Sequence, residues 1–189
     1  AMHFPDGTRV GVAVGRAGTL AKTTDAGATW SSLTRYAPGT GQWRSLMDVD
    51  FPGDEATGFV VGSDGEFVRT DDGGRSWFQP CVFDTLICQW DGVDFLPDKL
   101  TGFICGTAGL NNNAVLRTRD GGVSWDTVLV RTGGTGYFRD VLFPFGDDIG
   151  YVVDRAGYAV WKTTDCGDSW VRHGAVAGGY PNAVDFPTR

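Results

Sequence analysis

The sequence contains few of the residues on which most enzymatic chemistry depends. Among its 189 residues there are two histidines, His3 and His173, and two glutamates, Glu55 and Glu66. A Ser-His-Asp triad would have to be built on one isolated histidine, and no group of His and Cys has the spacing of a zinc site. The composition therefore disfavours hydrolases of the triad type and zinc enzymes.

The chain also lacks an excess of positive charge and any long apolar run. Lys+Arg number 16 against 23 Asp+Glu, which leaves a net charge of -7. A negatively charged chain repels phosphate backbones, so nucleic acid is not an expected partner. No stretch of about 18 apolar residues is present, so no membrane span is expected. No signal peptide is recognisable either, and the localisation stays open.

Glycine and aromatic residues, by contrast, are abundant. The sequence has 29 glycines and 13% aromatic residues, and its glycine share is about twice the average. Disordered Gly-rich segments lack aromatic residues, and collagen needs glycine at every third position. The combination predicts a compact domain with many tight turns.

Four copies of one eight-residue motif organise the chain. The motif is Thr-x-Asp-x-Gly-x-Thr/Ser-Trp, and its tryptophans follow one another at steps of 47, 48 and 45 residues. Two further runs recur with it. The first of these runs ends in Phe, and the second begins with Gly. In every repeat this Gly stands seven residues after the Phe. The motif occupies residues 23–30, 70–77, 118–125 and 163–170.

Each repeat predicts four short strands, which we name A to D in chain order. The apolar runs are rich in Val and aromatics and are bounded by Gly, Asp and Pro, and no segment has a 3.6-residue period. A period near 45 residues with four strands is typical of a β-propeller blade. The expected fold is an all-β propeller of four four-stranded antiparallel blades. It forms a single domain, residues 1–189, with repeats at approximately 6–51, 52–95, 96–143 and 144–187.

The count of A strands raises the question of how the ring closes. The last A-strand run, residues 183–186, is expected to pair with the first B strand and close the first blade, which would remove open sheet edges. Two alternatives stay open. Phe4 stands where a further A strand would end, so the chain could be a fragment of a longer propeller. Two chains could also share one ring, and the protein is expected to be a monomer or a ring-sharing dimer.

The repeated motif resembles the Asp-box, or BNR, motif of sialidases, sortilin-type receptors and related propellers. The wider repeat, above all GFVVGSDGEFVRTDDGGRSW at residues 58–77, is most similar to the photosystem II stability/assembly factor family. This resemblance covers nearly the whole chain. It implies a non-enzymatic propeller that binds membrane-protein partners in a thylakoid lumen. Members of that family usually carry more than four blades, which the four repeats here do not match.

The box residues themselves predict a structural role. Carboxylate and hydroxyl groups can bond to the backbone of the turn between strands C and D, glycine suits a turn position with positive φ, and tryptophan can fill the space between blades. Four identical turns cannot all form one active site. These structural residues are Asp25, Gly27, Trp30, Asp72, Gly74, Trp77, Asp120, Gly122, Trp125, Asp165, Gly167 and Trp170.

A second set of carboxylates recurs in the A strands, which line the central channel of a propeller. Carboxylates from several blades could converge on a hard cation such as Ca²⁺. The alternative is that each carboxylate binds backbone amides or a nearby arginine. The candidate residues are Asp48, Asp50, Asp94, Asp140 and Asp185.

A basic residue precedes the first Thr of every box. These residues could form a stripe that binds an acidic partner, or they could bridge neighbouring blades. They are Lys22, Arg69, Arg117 and Lys162.

Three irregular segments interrupt the repeats and are the expected location of a ligand face. They are residues 34–42, 79–90 and 110–113. Cys81 and Cys88 lie in the second segment and could form a disulfide, which would favour a lumenal, periplasmic or secreted setting.

The sequence therefore favours a non-enzymatic scaffold for protein binding or assembly. The alternative is a glycan-binding propeller with Trp43, Trp90 or Tyr180 as stacking platforms. A sialidase-like glycosidase is less favoured, because only Glu55 and Glu66 could assist a tyrosine nucleophile. No cofactor is expected apart from Ca²⁺ in the channel.

Overall fold

The computed structural model describes residues 1–5, 7–33, 44–83, 88–109, 112–132, 137–145, 148–155, 157–175 and 179–186. These residues form fifteen β-strands and one 3₁₀ turn at Arg16–Gly18. No helix among them is long and apolar enough to cross a membrane. The prediction of an all-β chain without long helices is confirmed.

The strands form four antiparallel sheets, one for each repeat, with neighbours in chain order. The first blade contains β1 (Met2–His3), β2 (Gly11–Gly15), β3 (Thr19–Thr23) and β4 (Ser31–Ser32). The second contains β5 (Leu46–Asp50), β6 (Gly58–Gly62) and β7 (Phe67–Thr70). The third contains β8 (Cys88–Phe95), β9 (Gly102–Ala108), β10 (Asn112–Thr118) and β11 (Asp126–Thr132). The fourth contains β12 (Phe138–Leu142), β13 (Gly150–Asp154), β14 (Ala159–Thr163) and β15 (Val171–Ala175).

The second blade is shorter than predicted. Its described part has three strands, and the fourth position is held by a single bridge between Arg69 and Phe78. Both backbone hydrogen bonds of that bridge are formed, at 2.8 and 2.9 Å. The outer strand therefore begins as the repeat predicts but does not extend beyond one residue pair.

The constant step of seven residues from Phe to Gly has a steric cause. In the third blade, the ring of Phe95 lies directly over the α-carbon of Gly102, so that any β-carbon there would meet the ring. Strands β8 and β9 are antiparallel, and Phe95 pairs with Gly102. The same contact recurs in the other blades, between Phe4 and Gly11, Phe51 and Gly58, and Phe143 and Gly150.

The first blade is completed in a different way from the one predicted. Its innermost strand is β1, in which Met2 pairs with Ala13 and His3 pairs with Val12. Residues 179–186 are not part of any strand, so the expected closure by residues 183–186 is wrong for this structure. The physical reason is that β1 already occupies the edge of β2 that the carboxy-terminal run would need.

The hydrophobic core lies between blades. One cluster joins the first and second blades, another the second and third, and another the third and fourth. None of these clusters of described residues joins the fourth blade to the first. Since blade interiors are packed against the next blade in sequence, each interface depends on both neighbours.

Because neighbouring strands run in opposite directions, the turns and loops lie on two sides of the molecule. Strands A begin and strands B end on one side, which we call the loop face. There the Gly18 N–H donates to the Arg44 carbonyl at 2.7 Å, and the Gly65 N–H donates to the Cys88 carbonyl at 2.9 Å. The Asp-box turns lie on the opposite side, the box face. The described strand ends that flank the three irregular segments lie on the loop face, while residues 34–43, 84–87 and 110–111 lie outside the described residues.

Candidate functional site

The four Asp-box turns share one hydrogen-bond pattern. In the third box, the Thr118 hydroxyl donates to Asp120 Oδ1 at 2.7 Å and accepts the Gly122 backbone N–H at 2.9 Å. The Ser124 N–H and hydroxyl donate to the same carboxylate at 2.9 and 2.6 Å. Equivalent bonds occur in the other three boxes at nearly the same distances.

These bonds also fix the ionisation of the box carboxylates. Hydroxyl and backbone donors favour the charged form, which lowers the pKa of all four carboxyls to about 2. They are Asp25, Asp72, Asp120 and Asp165. All oxygens of these side chains are engaged in closing their own turns, so the contacts favour the structural interpretation of the box.

Three of the four box turns, the second to the fourth, insert between two blades. A β-carbon on Gly122 would meet the ring of Phe67 in the preceding blade, and one on Gly167 would meet Phe103. The box tryptophans close the same spaces: Trp125 lies 6.1 Å edge-on from Phe95 and donates its indole N–H to the Gly122 carbonyl at 3.2 Å. The repeat therefore encodes the joint between blades as well as the turn.

The basic residues that precede the boxes bridge blades. Three of the four donate to the carbonyl of the residue before the box glycine in the next blade. Lys22 Nζ donates to Gly73 at 2.7 Å, Arg69 Nη1 to Gly121 at 3.2 Å and Arg117 Nη1 to Cys166 at 2.7 Å. Lys162 belongs to the last described blade, and its ammonium group lies 5.7 Å from the ring centre of Tyr151. These contacts favour the bridging role over a stripe for an acidic partner.

Substitution of Arg117 tests the bridging role. Its side chain is 8% exposed, and its guanidinium binds Asp168 at 2.6 Å as well as the Cys166 carbonyl. Arg117→Met is expected to lower the free energy of unfolding by about 2 kcal/mol, because both acceptors lose a charged donor. Urea unfolding measures this decrease in the free energy of unfolding. Arg119 touches the same Asp168 at 3.4 Å but is 59% exposed, so Arg119→Met should cost less than about 0.5 kcal/mol. Equal losses for the two variants would contradict the bridging role.

The channel aspartates also bind the neighbouring blade. Asp48 accepts the Val93 N–H at 3.0 Å, Asp50 the Phe95 N–H at 2.8 Å and Asp94 the Phe143 N–H at 2.7 Å. Asp140 accepts the Val184 N–H at 2.8 Å. Asp185 is exposed. No group of these acidic residues among the described positions is arranged to hold a metal ion, so the geometry favours amide binding over the Ca²⁺ site.

Burial of these carboxylates changes their acidity. Desolvation raises the pKa of Asp48 and Asp50 to about 7 and of Asp140 to about 6, and it raises the pKa of Asp94 well above its usual range. Repulsion between neighbouring carboxylates adds to the effect, while the backbone amides oppose it. Protonation of the channel carboxyls is therefore coupled to the packing of neighbouring blades.

The loop face carries ion pairs that occur in single repeats only. Arg139 Nη1 lies 2.7 Å from Asp91 Oδ1, and Arg131 Nη1 lies 3.4 Å from Asp154 Oδ1. In both pairs the carboxylate is almost fully buried, whereas the arginine side chain is 30% and 26% exposed. Burial raises the pKa of Asp91, although Gln89 and Arg139 lower it.

Exposed tyrosines lie around Arg155 on the fourth blade. The Tyr180 ring lies 5.0 Å from the ring of Tyr158 and 5.7 Å from the Arg155 guanidinium carbon. The Arg155 backbone N–H donates to the carbonyl of Tyr137 at 3.0 Å. The exposed fractions are 45% for Tyr137, 38% for Tyr158 and 60% for Tyr180. We call Tyr137, Arg139, Arg155, Tyr158 and Tyr180 the Tyr–Arg patch.

Sequence reasoning missed most of this patch. Tyr180 was identified only as a stacking platform, and Arg139 and Asp91 have no counterpart in the other repeats. The one available signal is that four of the five tyrosines lie between residues 137 and 180. Of the other proposed platforms, Trp90 is 1% exposed and cannot stack on a ligand, and Trp43 lies outside the described residues.

The residues considered for glycosidase chemistry are not brought together. Glu55 precedes β6 on the box face, whereas Glu66 follows that strand on the loop face. Glu66 is 1% exposed and pairs with Arg44 at 3.0 Å. His3 lies 3.5 Å from Asp50 in the channel, and His173 is exposed on β15.

The predicted Cys81–Cys88 disulfide is not formed. Cys88 is buried in β8, where it pairs with Ala108, and Cys81 is half-buried against the same core cluster. Both positions are held by packing, so the structure does not need the bridge. The setting that the bridge would have favoured therefore gains no support from these two residues.

Comparisons with known proteins agree with the repeated architecture. The family model described as "Photosynthesis system II assembly factor YCF48" matches residues 2–85. No curated protein matches the chain in sequence. Among solved structures, YCF48 from Cyanidioschyzon merolae is 20% identical with a TM-score of 0.70 over 98% of this chain. A YCF48 bound to D1 peptide is 24% identical with a TM-score of 0.55 over 68% of this chain.

The matched proteins are longer than this chain and include enzymes. The chain spans 59% and 39% of the two YCF48 chains. An ancestral GH74 enzyme is 17% identical with a TM-score of 0.70, covering 93% of this chain and 24% of the enzyme. Such distant matches establish the fold, and one fold hosts many functions. With its four Asp-box turns and its similarity to YCF48, the chain is an Asp-box β-propeller that resembles photosystem II assembly factors.

Proposed function

We propose that the chain is a non-enzymatic, protein-binding propeller that docks an acidic segment of its partner on the Tyr–Arg patch. The observation that carries this proposal is the composition of the patch, in which three tyrosines are 38–60% exposed and the Arg155 guanidinium carbon lies 5.7 Å from the ring centre of Tyr180. Tyrosine and arginine are enriched among the residues that dominate binding energy in protein interfaces. Scattered exposure of single apolar residues would not support the same conclusion.

The local charge supports an acidic partner. Next to the patch, Arg139 and Arg131 pair with Asp91 and Asp154, and in both pairs the carboxylate is almost fully buried while the arginine side chain is 30% and 26% exposed. These two pairs therefore present their positive member to solvent, although the chain as a whole carries -7. A local field of this sign attracts carboxylates and increases the association rate of an acidic segment.

The similarity to known proteins points in the same direction. One structural relative is a YCF48 bound to D1 peptide, and the resemblance to assembly factors supports a peptide or protein partner for this chain as well. The loop face also carries the described ends of the three irregular segments, and binding sites are commonly built from such connections.

Peptide binding tests the proposal. The probes are the fluorescently labelled D1 peptide, an acidic peptide of unrelated sequence, and the same acidic peptide with its carboxylates replaced by amides. Fluorescence anisotropy should show that the wild-type chain binds at least one carboxylate-bearing peptide and not the amide version. Arg155→Glu and Tyr180→Ala should each weaken binding by about tenfold or more.

Arg119→Glu is the matched control. Arg119 is a 59% exposed arginine on the box face, so its replacement makes the same change in net charge as Arg155→Glu and should alter binding less than about twofold. Failure of all three peptides to bind, or equal losses for the two charge reversals, would refute a carboxylate site on the Tyr–Arg patch.

Glycan binding is a second candidate, favoured by one observation. The rings of Tyr158 and Tyr180 lie 5.0 Å apart with 38% and 60% of their surface exposed, and exposed aromatic faces stack on sugar rings. A glycan array separates the two candidates: a hit that Tyr180→Ala abolishes and Arg155→Glu leaves intact would favour the glycan.

A further inference from the structure

The joint between the second and third blades is covered in an irregular way at its outer end. The fourth strand of the second blade ends at the bridge between Arg69 and Phe78, whose backbone hydrogen bonds are 2.8 and 2.9 Å long. The next residue whose N–H would face β7 is Pro80, which has none to donate. Residues 79–83 form no strand, so this part of the third blade is not packed against an outer strand.

The third blade has a hollow on the side that faces this joint. Trp90 pairs with Gly106, and Gly106 pairs in turn with Ala114, so the positions beside the large indole have little or no side chain. Ala108 lies two residues beyond Gly106 on the same strand, and residues two apart share a face of the sheet. A cavity of about 190 Å³ lies against Ala108 and Ala114.

The lining of this cavity is mostly apolar. It includes Leu116 and Val130 from β10 and β11, and the ring of Phe83 lies 5.1 Å from that of Trp90. None of the described residues that line the cavity is charged. An apolar cavity of about 150 Å³ holds one benzene molecule, so this volume suits one six-membered ring with one or two further atoms. A charged ligand would lose its hydration here without gaining a partner.

One polar group in the lining lacks a hydrogen-bond partner. Trp90 is 1% exposed, and its indole N–H has no acceptor within the described part of the chain. The indole groups of Trp161 and Trp170 also lack an acceptor there, but those side chains are only half-buried. A buried donor without an acceptor costs free energy, and an oxygen atom on a bound molecule would recover that cost.

We propose that the cavity is a binding site for a small neutral molecule that consists of one six-membered ring with a single oxygen acceptor. The ring lies against Ala108 and Ala114, and the oxygen accepts the Trp90 N–H. No residue of the Tyr–Arg patch lines this cavity. The site therefore adds a small ligand to the protein-binding function proposed above and does not depend on it.

Titration with cyclohexanone tests the proposal, with the indole N–H resonances of the isotope-labelled chain as the signal. Trp90→Phe identifies the Trp90 resonance by its loss. Cyclohexanone should move this resonance saturably to lower field, as a new hydrogen bond does, with a Kd on the order of 0.1–1 mM for so small a ligand. Cyclohexane, which has no oxygen, and cyclohexanecarboxylate, which is charged, should not produce this shift.

Two variants close the cavity by different routes. Ala114→Leu fills it from β10, and Val130→Trp covers it from β11, where Val130 is 51% exposed and can change without disturbing the core. Each should weaken cyclohexanone binding by about tenfold or more. Val171→Trp is the matched control, since Val171 is 59% exposed on the fourth blade, and should leave binding unchanged. Melting temperatures check that all three variants fold.

Three results would overturn this assignment of the cavity. The first is the absence of a saturable shift of the Trp90 resonance in the wild-type chain. The second is an equal low-field shift with cyclohexane or with cyclohexanecarboxylate, because the oxygen or the neutrality of the ligand would then not matter. The third is a shift that persists in both Ala114→Leu and Val130→Trp, since the ligand would then bind elsewhere.

Discussion

Replacement of Gly102 by alanine is expected to lower the free energy of unfolding by about 3 kcal/mol. The added methyl group would enter the ring of Phe95, and that ring has no room to move. It is stacked on Phe59 with 3.5 Å between centroids and is held edge-on by Trp125 at 6.1 Å. Overpacking in such a core forces strain on side chains or backbone. For a chain of this size the loss corresponds to a decrease in melting temperature of about 6–12 °C.

A double-mutant cycle separates this contact from a general effect of alanine. Phe95→Ala alone should cost about 4 kcal/mol, but the double variant should cost less than the sum, because the methyl group at 102 then enters space that the ring has left. Gly174→Ala serves as control: no atom lies within 4 Å of its β-carbon position, so its effect should be small. Additive losses, or a Gly102→Ala protein as stable as the control, would show that the seven-residue step has another cause.

The constant seven-residue step from Phe to Gly illustrates what the sequence could predict. Contacts that recur in every repeat leave a periodic signal, so the boxes, the Phe–Gly pairs and the all-β architecture could all be derived from spacing alone. The bridging cations were also visible, although the choice between a blade joint and a partner stripe required the position of the acceptor carbonyls. Periodicity therefore predicts the joint between blades better than it predicts any single blade.

Features that occur once could not be derived in the same way. Asp91 and Arg139 lie 48 residues apart and meet at 2.7 Å because two consecutive A strands lie side by side on the loop face. Tyr158 and Tyr180 meet because residues 179–186 return to the fourth blade, whereas the repeat pattern placed residues 183–186 on β2. A tertiary contact that occurs in only one repeat has no counterpart in the other repeats, so the repeat pattern cannot predict it.

The stability of the protein is expected to pass through a maximum near pH 4–5. The four box carboxyls have pKa values of about 2 in the folded chain, below the value of about 4 for an unfolded chain. Their contribution is present above pH 4 and is lost as the pH falls towards 2. The channel carboxyls have the opposite shift, to about 7 for Asp48 and Asp50 and about 6 for Asp140. Between about pH 4 and their raised pKa values, these carboxyls are protonated in the folded chain and ionised in the unfolded chain.

The sign for the channel follows from proton linkage. Between about pH 4 and 7 the folded state binds more protons than the unfolded state, so the free energy of unfolding decreases as the pH rises through this range. As the pH rises past about 7, Asp48, Asp50 and Asp140 become charged in both states, and their part of the decrease ends. Asp48, Asp94 and Asp140 keep contact with water, which weakens the effect, so we expect a total decrease on the order of 3 kcal/mol. Urea unfolding at pH 4.5 and 8 measures it.

Asp50→Asn assigns this decrease to the channel. The amide oxygen can still accept the Phe95 N–H that Asp50 accepts at 2.8 Å, but the variant cannot carry the buried charge. It should match the wild type at pH 4.5 and exceed it by about 1–2 kcal/mol at pH 8. Asp126→Asn, an exposed change of the same kind on β11, should leave the pH profile unaltered. If Asp50→Asn lowers stability equally at both pH values, the carboxylate acts there only as a hydrogen-bond acceptor, and charge repulsion in the channel does not govern the pH dependence.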